Sequence, residues 1–382
     1  MSAVCPQHIP QWKLWKIATN RLNLGVYPPN QFNLIIRIDQ NGSPVKALVL
    51  PASLLSASTK ASRDWKFENV GCPGCLSDAA EPTVRRTVQS LPLEFSRCLD
   101  CGLIYQTPRL ARESLSSYFS SETFIQDPNG DNLDELLGYP DYFDWDKSYA
   151  VTAKLRLERI GRFKSPPGEL LEIGSATGSF LAAARSFGFR VRGLDLSSRF
   201  AAFARKRYDL SVDVGYVEEF AMPRSHYDVI CSFGGIACWR DPIQALMNIR
   251  GALKPDGIFV MNHFDTDSLP GKVLGSHHFE YNHASLVIFS RRTMRQCLTH
   301  VGFEQVYSQS ERQYASFGRI AGYLKLKAIL KALRGIGLEN VTIPLIVPGT
   351  VFAICRRTPY SMRRRSDGLD PHFILAPTMR AA

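Results

Sequence analysis

The chain has 382 residues, 45% of them apolar, which is enough to bury the core of one large domain and a smaller one. No apolar run is long enough to cross a bilayer, and Trp12 and Lys13 stand where a signal peptide would be apolar, so we expect a cytoplasmic protein. The net charge of +11 predicts an acidic partner, namely nucleic acid, anionic lipid or a phosphate-bearing substrate, or else indicates no more than a basic enzyme.

The N-terminal region, residues 1–65, is predicted to be an extension with a β-hairpin. Two apolar runs, FNLIIRID and PVKALVL, flank Asn41-Gly42, a pair that tolerates the positive φ values of a tight turn. This region contains no pattern that indicates chemistry.

Four of the nine cysteines form two close pairs in residues 66–110. Cys72 and Cys75 are followed, after twenty-two residues, by Cys98 and Cys101. Four thiolates in this arrangement can surround a structural Zn²⁺ and leave no open coordination position, so we expect a zinc ribbon and no catalytic metal. Gly74 and Gly102 would supply the backbone freedom of the two knuckles. The alternatives are a redox dithiol or a chance pairing.

The rest of the chain predicts a connector, a large α/β domain and a tail. Residues 111–144 are rich in Ser, Asp, Tyr and Gly, which favours little regular structure. From 145 to 357, a helix over 145–163 precedes short apolar runs that alternate with helical stretches, which predicts a parallel sheet with helices on both faces. Residues 319–345 are expected to be an inserted or lid helix, and residues 358–382 a disordered basic tail.

A glycine-bearing turn in this domain carries the strongest signal. The stretch LLEIGSATGSF joins a predicted strand to a predicted helix, and Gly174 and Gly178 let its backbone turn and approach a ligand. Asp195 follows Glu172 by twenty-three residues, at the end of the next strand, where a carboxylate can accept hydrogen bonds from ribose hydroxyls. A solvated acid at a strand end is the alternative for Asp195 alone.

This stretch resembles the first motif of class I methyltransferases that use S-adenosylmethionine (SAM). The resemblance continues through GLDLS, VGYVEE, YDVI, LKPDG and GFE, over roughly residues 145–357. It implies a Rossmann-like sheet of seven mostly parallel strands with helices on both faces. The cysteine segment, CPGC with RCLDCGLIYQTPR, resembles the zinc ribbon that precedes one subfamily of these enzymes, whose members often act on sugars, glycolipids or other natural-product intermediates.

The resemblance implies roles for five residues. Glu172, Gly174 and Gly178 would line the methionine end of SAM, Asp195 would bind the ribose, and Glu218 the rim of the adenine, although Glu219 fits the last role equally by register.

Two departures from the family's pattern matter. Ala176 replaces the middle glycine of the family's loop, which is tolerated if its φ is negative. Ala237 and Cys238 replace a Glu-His pair of many relatives, and Cys238 is either a nucleophile or a small buried thiol.

A general base is expected after the fifth strand, because open α/β folds place substrates at the carboxyl ends of their strands. We predict His263 or His283 as the base; for each, a packing or surface role is the alternative. Further titratable residues of this segment are Asp265, Asp267, His277, His278 and Glu280.

Near the C-terminus, residues 319–334 carry five positive charges and no acid. A helix of this kind could contact an anionic membrane surface near a lipid-linked substrate, or pack on the domain as a lid.

Three functions compete. The first is methyl transfer to a small-molecule acceptor such as a saccharide, glycolipid or natural-product intermediate. The second, an RNA methyltransferase, is less favoured, since residues 66–110 show no interleaving of aromatic and basic residues. The third is a methyltransferase-like protein without activity.

Overall fold

The computed structural model describes residues 32–38, 44–51, 65–88, 91–121, 146–278, 280–323, 327–339 and 341–358. The chain divides into two units, residues 1–64 and 65–382. The first unit contains the predicted hairpin, in which strands β1 (Phe32–Ile38) and β2 (Pro44–Pro51) pair antiparallel. The Asn41-Gly42 turn and the tail from 359 onward lie outside the described residues.

The second unit begins with the cysteine segment, which is a small antiparallel sheet. Two of its strands form an antiparallel hairpin that carries Cys98 at its end. The elements in chain order are β3 (Phe67–Glu68), β4 (Ala80–Val88), β5 (Leu91–Cys98), β6 (Ile104–Gln106) and β7 (Arg109–Leu110).

A helix, α1 (Arg112–Ser120), follows where the sequence predicted a connector with little regular structure, so that expectation is wrong for this part. Leu115 and Phe119, one turn apart, are buried in a cluster with Phe200 and Leu286. The helix therefore depends on partners that are distant in sequence and not on its own Ser-rich composition. Residues 122–145 lie outside the described residues.

The large domain has the predicted architecture. Its sheet has seven strands in the order β10-β9-β8-β11-β12-β15-β14. Six of these strands are parallel, and β15, which lies between β12 and β14, is antiparallel to both. The elements are α2 (Asp146–Gly161), β8 (Glu169–Ile173), α3 (Ser179–Phe187), β9 (Arg190–Asp195), α4 (Ser198–Tyr208), β10 (Val212–Val214), β11 (Tyr227–Phe233), α5 (Pro242–Ala252), β12 (Leu253–Phe264), α6 (Leu269–Leu274), β13 (Val287–Ile288), α7 (Arg291–Val301), β14 (Phe303–Ser316), α8 (Phe317–Tyr323), α9 (Lys327–Gly335) and β15 (Thr342–Arg357).

The central strands are buried on both faces, as parallel strands covered by helices should be. Residues 170–173 of β8 and 227–232 of β11 are all buried.

Three helices begin at residues whose side chains cap the first turn. Ser197 and Asp241 accept backbone N–H bonds at the start of α4 and α5, and Ser290 forms a capping box with Thr293 at α7.

The predicted inserted helix over 319–345 is two helices followed by a strand. The antiparallel pair β14–β15 extends to Ser316 opposite Thr342, and α8 and α9 connect the two strands beyond that point. Residues 342–345, which the sequence assigned to the helix, are therefore part of the sheet. Pairing with β14 satisfies the hydrogen-bonding groups of their backbone.

Candidate active site

The glycine-bearing loop lies between β8 and α3 at the carboxyl ends of the parallel strands. Gly174 and Gly178 have φ values of 76° and 79°, which only glycine adopts at little cost. A Cβ on Gly178 would lie 2.8 Å from both Ala204 and Leu210, so this glycine also lets α3 pack closely against α4. A Cβ on Gly174 would lie 3.4 Å from the Cα of Gly235.

Ala176, in the middle of the loop, has a φ of 45°, so the condition under which the sequence allowed an alanine here, a negative φ, is not met. A residue with a Cβ costs about 1–2 kcal/mol in this left-handed region. The backbone N–H of Ala176 donates to Asp195 Oδ2 at 2.7 Å, and this bond helps to hold the loop in its strained form.

Asp195 ends β9, beside the end of β8, because Ile173 and Leu194 are partners in the parallel ladder. Its Oδ1 accepts the backbone N–H of Ser197 at 2.8 Å. The side chain is 8% exposed, and burial raises its pKa to about 6, although the N–H donors of Ser197 and Ala176 oppose that shift. The carboxylate is therefore fixed in orientation and lines a cavity.

This cavity encloses empty space of about 910 Å³, part of it open to solvent. Three carboxyl groups line it, those of Asp195, Glu218 and Glu280. The lining residues in the described part of the chain include no Lys, Arg or His. The cavity is thus suited to a cationic or neutral ligand, whose charge the carboxylates would stabilise. Its aromatic walls are Phe119, Phe200, Tyr216, Phe233 and Trp239.

Glu218 and Glu219 have different environments. Glu218 lines the cavity, and its Oε1 accepts the backbone N–H groups of Arg240 at 2.7 Å and Asp241 at 3.1 Å. Burial raises the pKa of Glu218. Glu219 instead pairs with Arg112 on the surface. Of the two registers that the sequence left open, Glu218 is the one that reaches the cavity.

Glu172 and Gly178 are not among the residues that line this cavity. Glu172 is 4% exposed, and its Oε2 has no hydrogen-bond partner. Burial raises its pKa well above the ordinary value, and Arg156 opposes that shift. An unsatisfied buried carboxylate oxygen is costly, so a hydrogen-bond donor that reached Glu172 would offset part of that cost.

The two histidines predicted as bases do not line the cavity either. His263 Nδ1 lies 2.8 Å from the carbonyl oxygen of Phe264, and the ring packs edge-on against Phe289. His283 Nε2 lies 3.1 Å from the carbonyl oxygen of Val88 in β4. Burial lowers the pKa of both rings, so both are neutral at pH 7. The cavity gives no support to a base at either position.

Cys238 does line the cavity, but as a thiol. Burial, together with Glu280, Asp195 and Glu218, raises its pKa. Three acids around a buried sulfur disfavour the thiolate, which is the nucleophilic form. The packing interpretation of Cys238 therefore fits its surroundings better than the nucleophile interpretation.

The cysteine segment contacts the 280–288 segment, which carries four of the lining residues. Strand β13 pairs with β6, which makes residues 287 and 288 the edge of the small sheet. Arg86 in β4 donates to the carbonyl oxygens of Ser276 at 3.1 Å and of Tyr281. The 280–288 segment, which carries the lining residues Glu280, Asn282, Ala284 and Ser285, is thus held by residues almost two hundred positions earlier.

The four paired cysteines meet as predicted. Their sulfur atoms all lie within 4.8 Å of one another, and two pairs, Cys72–Cys101 and Cys75–Cys98, are 3.5 Å apart. Four sulfurs about 2.3 Å from one tetrahedral Zn²⁺ would be about 3.8 Å apart, so this set fits zinc. In the second knuckle Gly102 has a φ of 78°, as expected, whereas in the first the positive φ, 64°, belongs to Leu76 and not to Gly74. Gly74 is needed for space, because a Cβ there would lie 3.0 Å from Leu103.

Seven strands in this order, with a glycine-bearing loop beside a strand-end acid, define the class I methyltransferase fold. In agreement, residues 146–308 match the model of a family described as a methyltransferase domain. We therefore identify residues 146–308 as a SAM-dependent methyltransferase domain, which a four-cysteine cluster precedes in the chain.

Individual relatives are distant. A demethylmenaquinone methyltransferase from Chlorobaculum parvum is 28% identical over 134 residues, which are 34% of this chain and 53% of that protein, so the chain spans about half the length of this curated relative. A SAM-dependent methyltransferase from Thermotoga maritima is similar in structure over 56% of this chain and 94% of its own, with 18% identity and a TM-score of 0.40. The 1,6-didemethyltoxoflavin-N1-methyltransferase of Burkholderia thailandensis covers 68% of this chain and 98% of its own, with 16% identity and a TM-score of 0.42. In the part of the chain described above, no helix combines the length and apolarity that a membrane crossing requires.

Proposed function

We propose that this protein transfers a methyl group from SAM to a small, uncharged acceptor. The observation that carries the proposal is the buried carboxylate of Asp195, which lines the cavity together with Gly174 and is fixed by the loop's own backbone. When bound, SAM supplies an electrophilic methyl group on a positively charged sulfur. A cavity lined by carboxylates and no basic side chain, within the described residues, suits that charge.

Each cofactor residue has a specific part in this proposal. Asp195 retains lone pairs beyond its two backbone hydrogen bonds and accepts the ribose hydroxyls. Gly174 lets the backbone approach the methionine end, and the unpaired oxygen of Glu172 accepts from the ammonium group. Glu218, held by two backbone N–H groups, lies at the adenine rim. Gly178 acts indirectly, through the packing of α3 on α4.

The acceptor that we propose is a saccharide, a glycolipid or an aromatic natural-product intermediate. Five aromatic side chains offer flat apolar contact, and Asn282 and Ser285 offer hydrogen bonds, whereas the lining has no basic group in the described residues to pair with a phosphate. The name of the curated relative from Chlorobaculum parvum, which refers to an uncharged quinone, points in the same direction. The same lining argues against RNA, whose phosphates would meet three carboxylates.

We further propose that the four cysteines bind one structural Zn²⁺. The distances between their sulfur atoms support this assignment, and a complete set of four thiolates leaves no position for a substrate. Metal analysis of the purified protein should find about one zinc ion per chain, and Cys98→Ser should lower that content. None of the eight cysteines in the described residues forms a disulfide, which supports our proposal of a reducing compartment such as the cytoplasm.

Contact with a membrane surface through residues 319–334 is also a proposal. In α9, Lys331 and Arg334 are exposed, and Ile329 is 49% exposed. Exposed cations beside exposed apolar side chains are typical of helices that lie on anionic lipid. Co-sedimentation with phosphatidylglycerol vesicles should decrease in a Lys331→Glu, Arg334→Glu variant, and an unchanged bound fraction would contradict this contact.

Calorimetry with SAM and with S-adenosylhomocysteine tests the central proposal. We expect Asp195→Ala to lose at least about tenfold in affinity for both ligands, which corresponds to about 1.4 kcal/mol. Glu219→Gln is the control, since its carboxylate pairs with Arg112 outside the cavity, and it should bind as the wild type does. The proposal fails if the folded wild-type protein binds neither ligand, or if Asp195→Ala binds both unchanged.

A further inference from the structure

Glu280 differs from the other two acids of the cavity in how few donors surround its carboxylate. The two oxygens of Asp195 and the Oε1 of Glu218 accept backbone N–H groups at 2.7–3.1 Å. The carboxylate of Glu280 accepts only the Ser285 hydroxyl, at 3.4 Å, among the hydrogen bonds of the described residues. It is thus the lining carboxylate with the most free capacity to accept a proton.

The surroundings of Glu280 favour the protonated, neutral form of its carboxyl group. No Lys or Arg of the described residues forms an ion pair with it, and burial raises its pKa to about 7. The charged side chains that line the cavity with it are acids, Asp195 and Glu218, and all three act on the thiol of Cys238. His278, whose Nδ1 accepts the Glu280 N–H at 3.2 Å, is kept neutral by burial, which lowers its pKa to about 4.

The backbone around Glu280 is nevertheless well fixed. Its carbonyl oxygen accepts the N–H of Asn282 at 3.0 Å, and the Asn282 side-chain oxygen accepts the N–H of Ala284 at 2.8 Å. Arg86 of the cysteine segment donates to the carbonyl oxygen of Tyr281. A carboxyl group that is rigidly held, poorly solvated and left without a cation is typical of a site that titrates in function.

We propose that Glu280 faces the methyl group to be transferred and accepts the proton that the acceptor loses. This assignment rests on the proposed function. As the acceptor's oxygen or nitrogen bonds to the methyl carbon, the carbon–sulfur bond breaks and its electron pair stays with sulfur. The proton of the acceptor passes to the Glu280 carboxylate and from there to solvent. Glu280 therefore takes the role that the sequence assigned to His263 or His283.

The test uses sinefungin, a SAM analogue that carries an amine-bearing carbon in place of the methylated sulfur. The ammonium group of sinefungin occupies the transfer position, whereas S-adenosylhomocysteine has no group there. We expect Glu280→Gln to weaken sinefungin by about tenfold, because a charge-assisted hydrogen bond is lost, and to change the affinity for S-adenosylhomocysteine less than twofold. Glu219→Gln, an acid outside the cavity, should change neither affinity.

Proton release gives a second readout. Titrations at pH 7 in two buffers of different ionisation enthalpy measure the protons released when sinefungin binds. With a pKa of about 7, half of the Glu280 carboxyls are protonated at pH 7, so a cation beside Glu280 should expel about 0.5 proton per site. Burial also raises the pKa values of Asp195, Glu172 and Glu218, but any protons that these acids release are released in both proteins. The release should therefore be smaller in Glu280→Gln than in wild type by about 0.5 proton.

The outcomes separate the two proposals. If wild type binds neither ligand, the proposed function fails and Glu280 fails with it. If both ligands bind but Glu280→Gln weakens them equally, or weakens neither, the protein binds the cofactor and the role of Glu280 is overturned. An unchanged proton release in Glu280→Gln would also overturn it.

Discussion

The raised pKa of Glu280 predicts that this residue destabilises the ligand-free protein as the pH rises. In the unfolded chain the carboxyl has its ordinary pKa of 4.5, and in the folded protein burial raises the pKa to about 7. The folded state thus binds the proton more tightly than the unfolded state does. Its stabilising effect is fully present below pH 4.5 and is lost as the pH rises through 7.

The magnitude follows from the difference between the two pKa values. The pKa rises from 4.5 to about 7, and each pKa unit corresponds to about 1.36 kcal/mol. The ionised carboxylate of Glu280 therefore lowers the free energy of unfolding by about 3 kcal/mol at pH 8. Glutamine has no proton to lose and can still accept from the Ser285 hydroxyl. We therefore expect Glu280→Gln to be about 3 kcal/mol more stable than wild type at pH 8, and equally stable near pH 4.

Urea unfolding of the zinc-loaded protein without SAM, followed between pH 4 and pH 8, measures this difference. The destabilising effect of Asp195 has the same sign but is present in both proteins, so it cancels in the comparison. Glu219→Gln serves as the matched control: Arg112 lowers the pKa of this exposed acid, so its removal should change stability by at most about 1 kcal/mol, with the opposite sign. The reasoning is refuted if Glu280→Gln and wild type have equal stability at pH 8.

Three further predictions concern the loop and the metal. Ala176→Gly should relieve the strain of a φ of 45° and raise stability in urea unfolding by up to about 1 kcal/mol; since it also removes a Cβ from a residue that lines the cavity, SAM should bind more tightly in calorimetry, and weaker binding would contradict this. Gly178→Ala should lose about 2–5 kcal/mol in urea unfolding, whereas Gly251→Ala, in α5 with no atom within 4 Å of the added Cβ, should gain about 0.5–1 kcal/mol; equal effects would refute the packing role. Removal of zinc by a chelator should speed amide hydrogen exchange in the 280–288 segment more than in α3, and uniform protection would show that the metal does not hold that wall.

The part of the cavity beside the 174–178 loop could be predicted because its geometry is local. The loop and its acid lie at the ends of two neighbouring strands, and a parallel ladder brings such ends together whatever the rest of the fold does. Gly174 and Asp195 therefore line the cavity as expected. The φ of Ala176 was not predictable, since its strained value depends on the bond from its N–H to Asp195.

The acceptor side could not be predicted, because contacts distant in sequence decide which side chains reach the cavity. His283 and Glu280 are three residues apart on one loop, and composition alone favours the histidine as a base. The carbonyl oxygen of Val88, almost two hundred residues earlier, accounts for the position of His283. Glu280 lines the cavity instead, and no sequence pattern in residues 280–283 distinguishes it from its neighbours.

Helix α1 illustrates the same limit at the level of the fold. Its serines suggested a connector, but Leu115 and Phe119 lie one turn apart, which is the signal that could have revealed the helix. Phe119 then reaches the cavity and forms part of its aromatic wall.

The cysteine segment therefore supports one wall of the cavity through its contacts with residues 281–288. It pairs with β13, holds the carbonyl oxygen of Tyr281 through Arg86, and contacts His283 through Val88. A small sheet has too little core to be rigid alone, so four sulfurs on one metal would supply the stiffness that these contacts need. Because the loop at 174–178 depends instead on the ladder between β8 and β9, loss of the metal should loosen the acceptor wall while the nucleoside side of the cavity persists.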